Sequence, residues 1–299
     1  MSGMKISDRG DTTAPGEKGL RGLARRYQTT AFVLMTLLVS WGCWALTYVA
    51  LPSDELTQVH FVPGAFGPTI AAALVTWASG GDLRAWAAQI VDWRVSPRWY
   101  LAALGLPIVL MVGSVTAGVA LAGASLDASV LTRRLPQYPV GLLFVLLVGG
   151  GQEEPGWRGF ALPRLQETYS SLTASLIVGG VWAVWHLPLY FMGFPRNETG
   201  SFLLYALLVV GFSILLTWCY NSTGGSVLLA MLFHASVNTA GGLLPVREGV
   251  AEQWPLVVDG ALIVAIWLAA VAVVSWSDAE SLSRRGIPDP RSAGVESDR

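Results

Sequence analysis

Eight apolar runs set the terms for this chain. They fall at about 31–51, 61–80, 99–123, 139–152, 171–192, 201–220, 224–245 and 256–276. A helix rises about 1.5 Å per residue, so about 20 apolar residues cross a hydrocarbon core of roughly 30 Å with every backbone polar group paired internally. The fourth run is too short unless its helix continues beyond residue 152. The runs are continuous, not alternating, which argues against transmembrane strands. The expectation is an all-α, polytopic transmembrane helical bundle of about eight helices over 31–276. Composition agrees: 53% of residues are hydrophobic and only 13% charged, against about 25% charged in a soluble domain. The expected surroundings are a lipid bilayer. A formal net charge of −1 and the lack of a basic block give no reason to expect nucleic acid.

Residues 1–30 are polar and read as a flexible cytoplasmic tail, and 277–299 as a disordered cytoplasmic tail. The first run is too long for a signal-peptide core and carries no cleavage site, so it is expected to be retained. Lys and Arg placement sets orientation. With the N-terminus inside, the inner segments hold the basic tail, Arg84, Arg94, Arg98, Arg158, Arg164, Arg284 and Arg285. The outer ones hold only Arg133, Arg134, Arg196 and Arg247. Both termini are therefore expected in the cytoplasm, with the chain multi-pass in a cell membrane. The Gly/Ala/Trp-rich composition without a targeting signal points to a bacterial one. Segment 81–98 alternates apolar and charged residues near helical period; it is an interfacial amphipathic helix or an ordinary connector. Cys43 and Cys219 lie in apolar runs without CxxC spacing and read as small buried hydrophobes. Most of the 13 tryptophans read as packing or interfacial residues.

Charge at membrane depth is costly and marks candidate functional sites. The stretch Gly149-Gly-Gly-Gln-Glu-Glu-Pro-Gly-Trp-Arg158 closes the fourth run with Glu153, Glu154 and Arg158. Residues four apart share a helix face, so Glu154 pairs with Arg158. Glu153 is offset by about 100° and faces elsewhere, near Trp157. A carboxylate left free in a partly dry cavity is a workable general base. Pro155 and the three glycines bend or break the helix here, which weakens that phase argument but fits a broken helix lining a cavity. His186 ends Trp182-Ala-Val-Trp-His186, one turn beyond Trp182. His234 and Asn238 are four apart on the seventh run. Taken singly, His186 has the alternative of a packing residue, and the His234/Asn238 pair that of interhelical polar glue. A metal site would need ligands from several helices, since no His-Glu-x-x-His is present.

Glu-Glu-x-x-x-Arg, aromatic-x-x-x-His and His-x-x-x-Asn, in that order on apolar spans, resemble the CPBP family of intramembrane proteases. That family includes the type II CAAX prenyl endopeptidases and bacterial proteins linked to bacteriocin processing or self-immunity. The match covers roughly 139–245, with Trp182 where the family most often has Phe. The resemblance implies hydrolysis of a peptide bond in a membrane-associated protein or peptide, within a cavity open to the cytoplasm. Glu153 and His186 would activate water. His234 and Asn238 would stabilise the oxyanion or bind a metal, and Glu154 and Arg158 would hold the geometry. Two chemistries stay open. One is a divalent metal such as zinc held by Glu153, His186 and His234; the other is a metal-free glutamate mechanism. A non-catalytic scaffold or bacteriocin self-immunity protein of the same fold is the alternative function. A proton-coupled transporter would suit intramembrane Glu and His, but no repeat relates the two halves.

Overall fold

The computed structural model describes residue 22 and residues 26–52, 54–123, 128–192, 201–243 and 255–288. Most of the N-terminal tail, Arg196, Arg247 and the last eleven residues lie outside the described residues. Every apolar run is helical. The long elements are α1 (Gln28–Ala50), α2 (Gly67–Ala78, entered through short turns from Gln58), α3 (Pro97–Leu121) and α4 (Tyr138–Val148). After the break at Gly149 and Gly150, Glu154–Gly156, Trp157–Ala161 and Leu162–Gln166 run on as one irregular helix, α5. Then come α6 (Ser171–Trp185, prolonged by Leu187–Phe191), α7 (Phe202–Ser222), α8 (Val227–Leu243) and α9 (Pro255–Ser277). No strand occurs among the described residues. The protein is an all-α polytopic bundle.

Six spans are long and apolar enough to cross a membrane: α1, Gln58–Ala78, α3, Ser171–Phe191, α7 and the Asp259–Ser277 part of α9. The two shorter elements are α4, with 11 residues, and α8, with 17. The fourth run does not continue as a straight helix through the glutamates. Gly150 has φ +142°, a conformation that L side chains rarely adopt, and the ladder of α4 ends there. Large apolar side chains on the outer faces of α1, α3, α4 and α9 stay exposed, such as Leu38, Leu101, Val140 and Leu268. In a chain with six crossing spans these faces meet lipid.

Inside, α1 packs on α2, α6 on α7, and α3 against both α8 and α9. Small residues let these helices close up. A Cβ on Gly67 of α2 would fall 1.9 Å from Ser40 Oγ of α1, and one on Gly179 of α6 would fall 2.9 Å from Val210 Cα of α7. Aromatic rings fill the space where α1, α5 and α6 meet. Phe32 lies 5.4 Å from Trp157 and 5.1 Å from Phe160, and Trp185 lies 4.9 Å from Trp44, centroid to centroid. These tryptophans are core residues, and Cys219 is fully buried with no disulfide among the described residues.

Segment 81–98 is more than a connector. Asp82 caps a short helix, Leu83–Ala88, by accepting from the backbone N–H groups of Arg84 and Ala85. Trp86 Nε1 donates to Pro155 O on α5 (3.1 Å), and the buried Gln89 accepts from Tyr220 on α7. Residues 278–285 are not a loose tail either. Ser171 N donates to Glu280 O, Asn221 Nδ2 donates to Ser281 O, and Leu282 is fully buried. Polar composition suggested disorder there, but these polar groups satisfy the exposed ends of α6 and α7 instead.

Candidate active site

The turn 149–153 begins the site. Gly150 N donates to Gln152 Oε1 (2.8 Å), which closes a tight loop, and Thr69 of α2 donates to the Gln152 carbonyl. Gly151–Glu153 is a single 3-10 turn, and α5 starts at Glu154. Pro155 sits in the first turn of that helix, where a missing N–H costs nothing. Trp157–Ala161 then widens into a π segment, a feature common at functional sites.

Glu154 and Arg158 are both fully buried and paired. Arg158 Nη1 donates to both carboxylate oxygens of Glu154, at 3.1 and 2.9 Å. Its Nη2 donates to Ser213 Oγ on α7 (3.1 Å), and that hydroxyl donates onward to Ser175 O on α6 (2.7 Å). The i,i+4 spacing predicts this pair, and it forms despite Pro155. The remaining Glu154 contact comes from α8. His234 Nδ1 lies 2.7 Å from Glu154 Oε1 and must donate, because a carboxylate only accepts.

Glu153 has a different neighbour from the one its helical phase suggests. The 3-10 turn rotates it away from Trp157 and towards α6, where Trp182 Nε1 donates to its Oε2 (2.8 Å). Among the described residues this is the hydrogen bond its carboxylate makes, and no cation is paired with it directly. Trp182 is the hub of the site. Arg158 lies 5.0 Å from its ring centroid, and the ring centroids of His234 and His186 lie 5.2 and 5.9 Å away. Its own carbonyl accepts from His186 Nδ1 (2.9 Å), which fixes that tautomer. His186 caps the end of α6, with rings of Trp185 and Tyr205 at 4.5 and 5.2 Å.

Asn238 Nδ2 donates to Gly149 O (2.9 Å), so α8 holds the turn from its far side. A Cβ on Gly150 would fall 2.6 Å from both His234 Nε2 and Asn238 Nδ2. The bare Cα lets these two polar groups converge over the turn. The structure thus brings Glu153, Glu154, Arg158, His234 and Asn238 around one turn. His186 joins them through Trp182. Gly150, already marked by the glycine run, and Gln152, Thr69, Ser175 and Ser213, which the sequence does not single out, complete the arrangement.

Two comparisons bear on this arrangement. The family profile "Type II CAAX prenyl endopeptidase Rce1-like" matches residues 135–240, which run from just before α4 into α8 and hold all six residues. "CAAX prenyl protease 2" of Methanococcus maripaludis is 26% identical over 245 residues, covering 75% of this chain and 87% of that protein. Both matches support a likeness to the CPBP/CAAX protease family and a peptidase activity, on a multi-pass membrane scaffold.

A CAAX-type site can be tested for metal on its donors. Catalytic zinc takes three protein ligands. Among the described residues no three His, Cys, Asp or Glu side chains converge as such a set. Glu154 is already shared between Arg158 and His234. As placed, Glu153, His186 and His234 do not converge as a three-ligand set.

Proposed function

We propose that this peptidase hydrolyses a peptide bond of a membrane-associated protein or peptide, with Glu153 as the general base for water. The observation that carries this is the contrast between the two glutamates. Glu154 is neutralised by Arg158, while Glu153 is buried with one indole donor and no paired cation. Only the second has an oxygen left to take a proton.

In the proposed step, Glu153 removes a proton from water as the oxygen attacks the scissile carbonyl. His234, held by Glu154 through Nδ1, presents Nε2 beside the Asn238 amide, and a protonated His234 would donate from Nε2 to the developing oxyanion. The proton on Glu153 then passes to the leaving amine. His186, at the exit of α6, would orient the water or the substrate from the far side of Trp182. The relative's name suggests a prenylated CAAX protein as substrate; a bacterial host would favour an unprenylated membrane peptide. The active site would open towards the cytoplasm.

The test is cleavage by the purified protein of a farnesylated CAAX-type peptide and its unprenylated counterpart. Glu153→Gln, His186→Ala and His234→Ala are each expected to lose at least about a hundredfold in kcat, with unchanged melting for Glu153→Gln. A zinc chelator is expected to leave the rate unchanged. Full activity in all three variants would refute the site. Normal activity of Glu153→Gln in a host phenotype, without any cleavage, would favour the scaffold or self-immunity alternative.

A further inference from the structure

We infer that the cavity between the ends of α3, α7 and α9 binds the phosphate group of an anionic lipid. It lies away from the glutamates: Ser222, on its wall, is nine residues beyond Ser213, roughly 13 Å along α7. The cavity measures about 630 Å³, ample for a headgroup and its glycerol.

Its lining divides by chemistry. Arg98 comes from the first turn of α3, and Arg284 and Arg285 come from the segment after α9. All three are exposed, and none forms an ion pair with a described residue. No carboxylate lines the cavity among the described residues. Of the two acids in the adjoining turn, Asp278 is engaged by the N–H and hydroxyl of Ser281, and the exposed Glu280 does not line the cavity. Behind the arginines stand Trp99, Trp218 and Trp276. Trp99 and Trp218 meet edge to face at 5.1 Å, Arg98 lies 5.7 Å from the Trp99 ring, and Arg284 lies 5.4 Å from the Trp276 ring. Like charges gathered without counter-ions repel one another unless an anion joins them, and guanidinium groups suit phosphate oxygens.

The segment that brings two of these arginines is fixed in place. Residues 279 and 280 accept from the first N–H groups of α6, Asn221 holds Ser281, and Ser283 Oγ accepts from Arg285 N. Folding back this polar stretch places charge against the end of α9. A lipid is favoured over free phosphate by the aromatic wall. Tryptophan at the bundle end is an interfacial side chain, and Trp276 is 63% exposed, suited to the glycerol and upper acyl region.

The experiment measures lipid retained by the full-length protein in detergent, by native mass spectrometry, against phosphatidylglycerol and phosphatidylcholine. The wild type is expected to keep phosphatidylglycerol selectively. The triple variant Arg98→Gln/Arg284→Gln/Arg285→Gln is expected to lose on the order of a hundredfold in that affinity, with its melting temperature and peptide cleavage intact. Inorganic phosphate in a parallel arm is expected to bind weakly and displace no lipid at millimolar concentration. Equal lipid retention by wild type and triple variant overturns the proposal. So does displacement of the lipid by phosphate alone, which would assign the cavity to a soluble anion. If the triple variant misfolds, the single variants Arg98→Gln and Arg284→Gln decide by the same measurement, each expected to lose about fivefold.

Discussion

Glu154 and Arg158 carry opposite charges in a place where water does not reach, and each is unaffordable without the other. Removing one partner of such a pair costs about 3–5 kcal/mol, whereas replacing both with apolar residues of similar size costs far less. Glu154→Gln is therefore expected to lower the melting temperature of the detergent-solubilised protein sharply. Glu154→Leu/Arg158→Met is expected to recover much of the loss while remaining inactive, because His234 then has no carboxylate to hold it. A double variant no more stable than the single would mean the pair is not the stabilising unit. Gly150 tests a different constraint. Its φ of +142° and the 2.6 Å approach of His234 and Asn238 leave no room for a methyl group. Gly150→Ala is expected to cost about 1–3 kcal/mol in backbone strain. By moving two polar groups it is also expected to cost on the order of a hundredfold in kcat. Near-normal cleavage by Gly150→Ala would show that His234 and Asn238 do not need their present positions.

Helix packing holds these side chains in register, and neighbouring glycines on α6 separate packing from propensity. Gly179 faces α7, where a Cβ would meet Val210 Cα and Ser213 Cβ at 2.9 Å; one residue on, Gly180 has nothing within 4 Å. Gly179→Ala must push α6, which carries Trp182, away from α7, which carries the Ser213 that holds Arg158. It is expected to reduce both melting temperature and cleavage. Gly180→Ala is expected to be neutral or to gain about 0.5–1 kcal/mol, since alanine is the better helix former. Equal effects of the two would place the sensitivity in backbone flexibility instead of the contact. At this scale the sequence is informative in a particular way. Continuous apolar runs specify the helices, because lipid leaves the backbone no other way to satisfy itself, and charge within them marks where chemistry gathers. The local course of 149–161 is different. A 3-10 turn, an α turn and a π segment leave no trace in hydropathy, so the pairing of Glu154 with Arg158 is readable while the swing of Glu153 towards Trp182 is not. Ser213 and Ser175 are equally silent: a small hydroxyl in an apolar run bonds as well to its own helix as to a neighbour.

Across the whole molecule, the ends of the chain's helical part meet at one end of the bundle. Arg164 at the close of α5 donates to Gln28 at the start of α1 (2.7 Å), and Ser171 at the start of α6 takes the backbone of Glu280 beyond α9. Arg94, Arg98, Arg284 and Arg285 share that end by connectivity, while Arg133 follows α3, whose 25 residues span roughly 37 Å. Counting arginine for orientation overstates one position, because Arg158 is consumed by Glu154 and reports chemistry instead of topology. Without it the basic excess still lies on the side of the termini, so the positive-inside bias continues to favour the expected cytoplasmic orientation of that side. In a background with Cys43 and Cys219 replaced by alanine, Arg26→Cys is expected to escape a membrane-impermeant maleimide in intact cells and to react after permeabilisation. Arg133→Cys is expected to react in both. The reverse pattern would invert the protein and put the proposed lipid site in the outer leaflet. Labelling of both positions in intact cells would contradict the odd number of crossings between them.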